Sequence, residues 1–434
     1  MRKTVLLVLL VSLAAWGCRG ERDQGASARG KKAALSAATS DLFVSVRDGR
    51  FVLAGQPHYF AGANFWQGMN LAVDGPSGDR PRLLRELDRL RDLGLTNLRI
   101  MASSEGPNTE PFRMVPALMT SPGEYDGSVL DGLDFVLAEM GKRGMRAVMV
   151  LNNFWQWSGG MAQYVSWHEK TPIPYPGNYE KFIAYAAKFY LYPECQDWFR
   201  DHIAMLIDRT NPYNGLKYRD DPAVFSWELA NEPRRYPQSW IDETAAYIKS
   251  LDANHMVTTG SEGAPPGEPT QDFVKTHSSK GIDYVTIHIW PQNWGWYDPK
   301  RPATFKTTAE PLAIAYFQKH ATEAKDMGKP LVLEEFGLAR DWAPLKDNLN
   351  PASKTTTKDL YYAALYKLVM DSIASGGPAM GDDFWAWAGE ARPGKPWVGD
   401  PPHEPAGWYS VYDADASTLA IISAHANEIA QLRK

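Results

Sequence analysis

Cysteine is almost missing from this chain. Only Cys18 and Cys195 occur in 434 residues, so no disulfide framework holds the fold and its stability must come from a packed core. Charge of one sign is missing as well. The 46 Lys and Arg stand against 51 Asp and Glu, a net charge of −5, which excludes the basic surface that a nucleic-acid partner requires. No His-Glu-x-x-His string, paired-Cys cluster or calcium loop occurs, so no catalytic metal and no cofactor is expected. Internal repeats are absent too. The one long apolar run, Val5 to Ala15 broken only by Ser12, is too short to span a bilayer as a helix.

That run reads instead as a targeting segment. Arg2 and Lys3 precede it and Gly17-Cys18 follow it, a pattern that resembles a bacterial lipoprotein signal with Ala15 and Trp16 in place of the usual Leu and small residue. Residues 1–17 are expected to be removed and Cys18 to be lipidated. Residues 18–40, rich in Gly, Ala, Ser and charge, read as a flexible tether. The protein is then exported and held at the cell envelope, periplasmic or on the cell surface, or else secreted after cleavage of an ordinary signal. The lipid is its only expected contact with a membrane, and a monomer is expected. Cys195, between Glu194 and Gln196 in a helical stretch, lacks the turn that would present a nucleophile.

Residues 41–434 read as one catalytic domain. Eight strand-like segments alternate with amphipathic helical ones: Tyr59–Phe65, Thr96–Met101, Arg146–Asn152, Val224–Ala230, His255–Thr259, Tyr284–Ile289, Leu331–Phe336 and Asp383–Trp387. The helices fall at Arg80–Leu93, Val129–Arg143, Tyr179–Arg209, Pro237–Leu251, Pro269–His277, Thr308–Met327, Lys358–Ala374 and Ser417–Leu432. Eight such units predict an α/β fold of the closed (β/α)₈ barrel type. A doubly wound sheet would carry a glycine-rich turn after its first strand, where this chain has Asn64-Phe65-Trp66-Gln67-Gly68. Phe43–Gly55 reads as a hairpin closing the barrel bottom. The long loops, residues 103–126, 154–177, 290–303 and 388–410, all follow strands, on the face where barrel enzymes place their chemistry. They hold much of the aromatic content, 16 Trp and 20 Tyr in all. Indole faces stack on the apolar C–H faces of sugar rings, which favours a carbohydrate partner.

Two strand exits carry carboxylates. Trp227-Glu228-Leu229-Ala230-Asn231-Glu232-Pro233 ends the fourth segment and Leu333-Glu334-Glu335-Phe336-Gly337 the seventh. One acid to protonate a leaving oxygen and one to attack a sugar carbon are what a retaining glycosidase needs. Side-chain alternation sends Glu334 and Glu335 to opposite sides. Glu335, at the exit, is assigned to the pocket as nucleophile, and Glu334 to the helix layer or to a neighbour. Asn231 beside Glu232 is placed to bond a sugar hydroxyl.

On these residues the chain resembles glycoside hydrolase family 5, the retaining clan with catalytic carboxylates on strands four and seven, and within it the β-mannanases. The resemblance covers roughly residues 43–430. It implies that Glu232 is the acid/base and Glu335 the nucleophile. It matches Arg99 to the family's strand-two arginine, His288 to its strand-six histidine, and Trp385 or Trp387 to the aromatic floor of the −1 subsite. Gly62-Ala63-Asn64-Phe65-Trp66, Leu151-Asn152-Asn153-Phe154-Trp155 and Trp290-Pro291-Gln292-Asn293-Trp294 are similar to mannanase segments. Trp66, Trp155 and Trp294 are therefore taken as substrate-binding. Where much of the family has a Tyr two residues after the histidine, this chain has Trp290, whose indole N–H can still donate to the nucleophile.

The implied activity is endo-hydrolysis of β-1,4-mannosidic bonds in mannan, glucomannan, galactomannan or manno-oligosaccharides, with retention. Arg99 is expected to keep Glu335 ionised at low pKa while Glu232 stays high, with the carboxyls about 5–5.5 Å apart. An exo-acting β-mannosidase or mannobiohydrolase, its cleft closed by residues 388–410, is the nearest alternative. A β-1,4-glucanase would share every catalytic residue, and a non-catalytic sugar-binding barrel would have lost one. The targeting reading has a direct test. In a bacterial host fed labelled palmitate, the intact chain should take up label and Cys18→Ser should take up none; label in both would place the acyl group elsewhere.

Overall fold

The computed structural model describes residues 41–175, 177, 179–267 and 272–432. The expected signal segment, the expected tether and Cys18 lie outside them. From Phe43 onward the chain forms one compact unit. Its centre is an eight-stranded parallel sheet: β1 (Phe60–Asn64), β2 (Asn97–Met101), β3 (Arg146–Val150), β4 (Val224–Glu228), β5 (Met256–Thr258), β6 (Val285–Ile289), β7 (Leu331–Phe336) and β8 (Ala379–Phe384). Neighbours in sequence are neighbours in space, and β8 pairs back onto β1. Between β5 and β6 the ladder is replaced by single bonds. Asp283 N–H donates to Val257 O at 2.8 Å, Thr258 Oγ1 to Tyr284 O at 3.1 Å, and His288 N–H to Glu262 O at 3.1 Å. With that seam closed the fold is a (β/α)₈ barrel.

Among the helices of the described residues, one follows each strand: α1 (Arg80–Asp92), α2 (Gly127–Lys142), α3 (Pro193–Asp208), α4 (Gln238–Leu251), α5 (Phe273–His277), α6 (Glu310–Met327), α7 (Thr356–Ala374) and α8 (Ala416–Gln431). Among the described residues none is long and apolar enough to cross a membrane. The boundaries follow local chemistry. Asp79 caps α1 by accepting from Arg82 N–H, with Pro81 in the first turn. Asp126 caps α2 through Ser128 and Val129.

Three expected boundaries move. The helix expected over Tyr179–Arg209 is split into Tyr179–Ala186, a 3₁₀ turn Ala187–Leu191, and α3, because Pro193 holds the residue before it extended. Helix Pro269–His277 shortens to α5, its first residues lying outside the described ones. The eighth strand lies earlier than Asp383–Trp387. Acidic residues are poor strand formers, but here Asp382 faces the helix layer and accepts from His425 of α8 at 2.7 Å. Trp387 starts a separate two-stranded pairing with Val411–Tyr412.

The barrel bottom is closed by antiparallel strands Ser45–Arg47, Arg50–Leu53 and Gln56–Pro57. Phe51, fully buried, meets Phe60 of β1, Phe225 of β4 and Tyr284 before β6, with ring centroids 6.3, 5.3 and 5.3 Å away. It is a plug inserted between strands on opposite sides. Truncation to alanine would leave a cavity that rigid strands cannot collapse to fill. Phe51→Ala should cost about 3–5 kcal/mol, read as a lower urea midpoint; a midpoint unchanged from wild type would mean the hairpin does not seal the barrel.

Candidate active site

The exits of β4, β6, β7 and β8, with the loops after β3, β5 and β8, line a cavity of about 580 Å³. Glu232 and Glu335 are both in its wall. Glu232 lies just past β4 with φ of 46°, in the left-handed region that side chains seldom adopt. Its N–H is held by Gly260 O at 2.9 Å. A Cβ on Gly260 would come within 2.0 Å of Ala230 O and 2.2 Å of Glu228 Oε1, so glycine is what lets the β5 exit lie against this turn. Glu232 Oε2 accepts from the Trp155 indole N–H at 2.6 Å, and its Oε1 lies 2.8 Å from His288 Nδ1.

Glu335 ends β7. Its Oε1 accepts from Arg99 Nη1 and its Oε2 from the Trp290 indole N–H at 3.2 Å. His288 Nδ1 is 3.3 Å from the same Oε2. One oxygen of Glu232, one of Glu335 and a ring nitrogen of His288 all lie within 4.8 Å of one another. An approach of this kind is nearer to the about 5–5.5 Å of a retaining pair than to the about 6.5–9.5 Å of an inverting one.

Glu334 departs from the expected alternation. β6 and β7 slip register between Ile287 and His288, so that Leu333 faces Ile287 and Glu335 faces His288. This bulge takes Glu334 out of the pleat and turns it inward beside Glu335. Its Oε2 is 3.3 Å from His288 Nε2 and 3.7 Å from Arg99 Nε. The carbonyl of Glu334 accepts from Asn64 Nδ2 at 2.8 Å. Glu228, given no role by the sequence, also turns inward and takes two bonds from Arg99 at 2.6 and 2.8 Å.

The electrostatic order differs from the expected one. Burial works against charge on His288, yet Glu335, Glu232 and Glu334 around it outweigh burial and raise it to about 10. Burial also works to raise Glu232, but the hydrogen bond and charge of His288, then Arg234 and Trp155, bring it down to about 2. Glu335 ends above its ordinary value, because burial exceeds what His288 and Arg99 return. In the free site the acid/base candidate is thus the more acidic carboxyl. Among the described residues Glu232, His288 and Glu335 also form the one group with donor atoms close enough to share a metal ion. A protonated His288 donates from both nitrogens and offers no lone pair to a metal.

Of the residues expected to bind substrate, Asn231, Trp155, Trp290, Trp294 and Trp385 line the cavity. Trp385 rather than Trp387 does so; Trp387 is buried, its indole N–H donating to Glu86 at 2.8 Å. Arg99, His288 and Trp66 stand behind the wall. All five Arg99 N–H groups bond protein atoms, on Glu228, Asn64, Glu335 and Asn231. Trp66 donates to Gly399 O at 2.8 Å and packs on Trp157 and Trp397, supporting the loop after β8. The sequence passed over Arg234, Glu262, His403 and Glu404, which line the cavity too. Arg234 follows Pro233 directly and stacks on Trp155 at 4.8 Å while pairing with Glu262. The other three lie in irregular loops that no periodicity marks. Cys195 is buried, its thiol pushed up to about 12, as unreactive as expected.

The family profile described as GH family 5 beta-mannosidase-like matches residues 41–434. Mannan endo-1,4-beta-mannosidase 7 of Arabidopsis thaliana is 31% identical over 79% of this chain and 77% of its own length. The glycoside hydrolase family 5 mannosidase from Rhizomucor miehei is 39% identical with a TM-score of 0.86, covering 91% of this chain and 99% of that one; a variant of it has been solved with mannosyl-fructose. The endo-1,4-beta-mannanase of the same organism shares the fold, at 24% identity and a TM-score of 0.67, over 90% of this chain and 99% of its own.

The raised His288 makes a signed prediction. Its contribution to stability is complete below about pH 6.5, its unfolded value, and is lost as pH rises through about 10. Glu228 and Glu262, raised by burial to about 8, add a fall of the same sign at lower pH. Above pH 8, therefore, the urea midpoint of the wild type should keep falling toward pH 10 while that of His288→Gln stays flatter. Parallel curves would mean that His288 carries no proton there.

Proposed function

The chain belongs to the glycoside hydrolase family 5 β-mannosidase-like family, and from that membership we propose that it hydrolyses β-1,4-mannosidic bonds with retention. The observation that carries the proposal is the close approach of Glu232 and Glu335, within 4.8 Å through their oxygens. Glu335 attacks the anomeric carbon as the bond to the leaving oxygen breaks and Glu232 protonates that oxygen. Glu232 then takes a proton from water, which displaces Glu335 from the glycosyl-enzyme. Arg99 and Trp290 hold the nucleophile in place. Trp385, Trp157 and Trp294 line the cavity and offer apolar surface to sugar rings, Trp155 donates to Glu232, and Asn231 stands beside the acid/base.

We further propose action on the ends of short manno-oligosaccharides. The support is the loop after β8, which brings Pro401, His403, Glu404 and Trp408 into the cavity wall. His403 Nδ1 and Glu404 Oε2 are buried without a hydrogen-bond partner. Burial lowers His403 to about 4 and pushes Glu404 well above the usual carboxylate range, so neither needs charge to bond a hydroxyl. Such unmet groups are costly unless a ligand satisfies them, and a chain terminus has a hydroxyl that an internal unit lacks. The 39%-identical relative is named a mannosidase. The endo reading is favoured by the name of the plant relative, and it requires a cleft open at both ends.

A time course on mannohexaose, linear mannan and carboxymethylcellulose separates these readings. One small product from the first minutes, with mannan viscosity nearly constant, is expected. A spread of oligomers with a rapid fall in viscosity would make the enzyme endo-acting, and turnover of carboxymethylcellulose would make it a glucanase. Glu232→Ala and Glu335→Ala should each lose about 10²-fold or more of kcat/KM on mannobiose. Wild-type activity in either would remove that residue from the reaction.

A further inference from the structure

The reaction above uses Glu232 and Glu335 and leaves Glu334 idle, although it is fully buried beside them. Its position is specified twice. The bulge in β7 turns it inward, and Asn64 captures the carbonyl that the bulge frees. Arg99 cannot be its hydrogen-bond partner, since every N–H of that guanidinium is engaged elsewhere. Oε1 of Glu334 has no partner, and among the described residues its carboxylate meets one ring nitrogen, His288 Nε2 at 3.3 Å. The opposite nitrogen of that ring is 2.8 Å from Glu232 Oε1. Glu334, His288 and Glu232 thus form a line from the barrel interior to the cavity.

We propose that Glu334 is a positioning residue that fixes a proton on His288 Nε2, so that the Nδ1 to Oε1 hydrogen bond carries one mobile proton shared with Glu232. The proposal rests on the acid/base role given to Glu232. A carboxylate only accepts, and the partner of one imidazole nitrogen decides what the other can do. With Nε2–H committed to Glu334, Nδ1 either donates to the Glu232 carboxylate or, as a lone pair, accepts from the Glu232 carboxyl. Moving the proton breaks N–H at Nδ1 and forms O–H at Oε1. Imidazolium becomes neutral imidazole, carboxylate becomes carboxylic acid, and no other group gains or loses a proton. The acid form serves departure of the leaving group, and the carboxylate form serves activation of water. Without Glu334, neutral His288 can carry its single proton on Nδ1, where it donates to Glu232 and bars the acid form.

The charged groups around His288 come from every neighbouring strand: Arg99 from β2, Glu228 and Glu232 from β4 and its exit, Glu262 after β5, Glu334 and Glu335 from β7. Among the described residues, Glu334 is the one with a hydrogen bond to Nε2.

The test compares kcat/KM, which reports the glycosylation step, on mannobiose and on 2,4-dinitrophenyl β-mannoside, whose leaving group needs no proton. Glu334→Met removes the acceptor, and it should lower the mannobiose-to-dinitrophenyl ratio by about tenfold or more. Glu334→Gln, which keeps an acceptor oxygen, should recover part of that loss. A ratio unchanged in Glu334→Met overturns the proposal. Glu232→Ala is measured alongside: if its own ratio does not fall, the acid/base reading fails, and if only its ratio falls, the Glu334 inference fails alone. Nitrogen-15 spectra of the wild-type imidazoles need no variant. His288 should keep its proton on Nε2 at every pH at which the enzyme is folded, and a neutral form protonated on Nδ1 would refute the assignment.

Discussion

Arg99 uses all five of its N–H donors inside the protein. From β2 it reaches Asn64 on β1, Glu228 on β4, Asn231 beyond β4 and Glu335 on β7. One planar cation therefore braces four elements across the barrel mouth. Its fork geometry suits this better than a lysine would, because each bond fixes a direction as well as a distance. A buried cation on this scale is tolerable only if it is fully paired, and its carboxylates are tolerable only while it is present. A guanidinium with no donor left cannot bind a sugar. Its effect on substrate passes through Glu335 and Asn231, whose positions it sets.

Around that brace, the irregular parts of the chain do the placing. The bulge in β7 puts two consecutive glutamates on the same side, which a regular strand cannot do. Asn64 satisfies the displaced Glu334 carbonyl and also contacts Asp383 O at 3.1 Å, so the distortion leaves no orphan carbonyl. The loop after β8 is similarly tied. Asp400 accepts from Gly407, Tyr409 and Ser410. Lys358 of α7 donates to Tyr409 O and Ser410 O at 2.9 and 2.8 Å, and Arg82 of α1 holds Pro396 O and Trp397 O. A loop so anchored can present His403 and Glu404 as firmly as a strand would.

What the sequence discloses follows from this division. The barrel was legible because eight apolar strands and their helices repeat a period that any reader can follow. Glu232 and Glu335 were legible because both sit at strand exits beside Pro233 and Gly337, residues that end strands. Glu334 was misplaced because alternation assumes a regular pleat. The eighth strand lies earlier than expected because Gly381 and Asp382 argue against a strand, while the aromatic run from Phe384 argues for one. Trp66 reads as a subsite in the sequence because a Trp at a strand exit has the same signature whether its face meets a sugar or, as here, Trp157 and Trp397. His403 and Glu404 had no signature, since their meaning lies in a fold of the loop set by Asp400 and Lys358.

The protonation of the site is illegible for a deeper reason. Reading Arg99 against Glu335 as a pair predicts an acidic nucleophile, and the pair is indeed in contact. But pKa values belong to the whole coupled set. Two buried cations, Arg99 and His288, face Glu228, Glu232, Glu334 and Glu335 within one small volume. Burial pushes Glu228 up to about 8 even with Arg99 bonded to it. His288 is raised by the carboxylates around it, and it too favours its protonated form. His288 sits where one such proton can be passed, between a carboxyl that faces the cavity and one that never leaves the barrel. On the proposed reaction, catalysis by this pair of glutamates is a matter of moving a proton along the Glu334–His288–Glu232 line, and the residue that decides its place is one a motif search passes over.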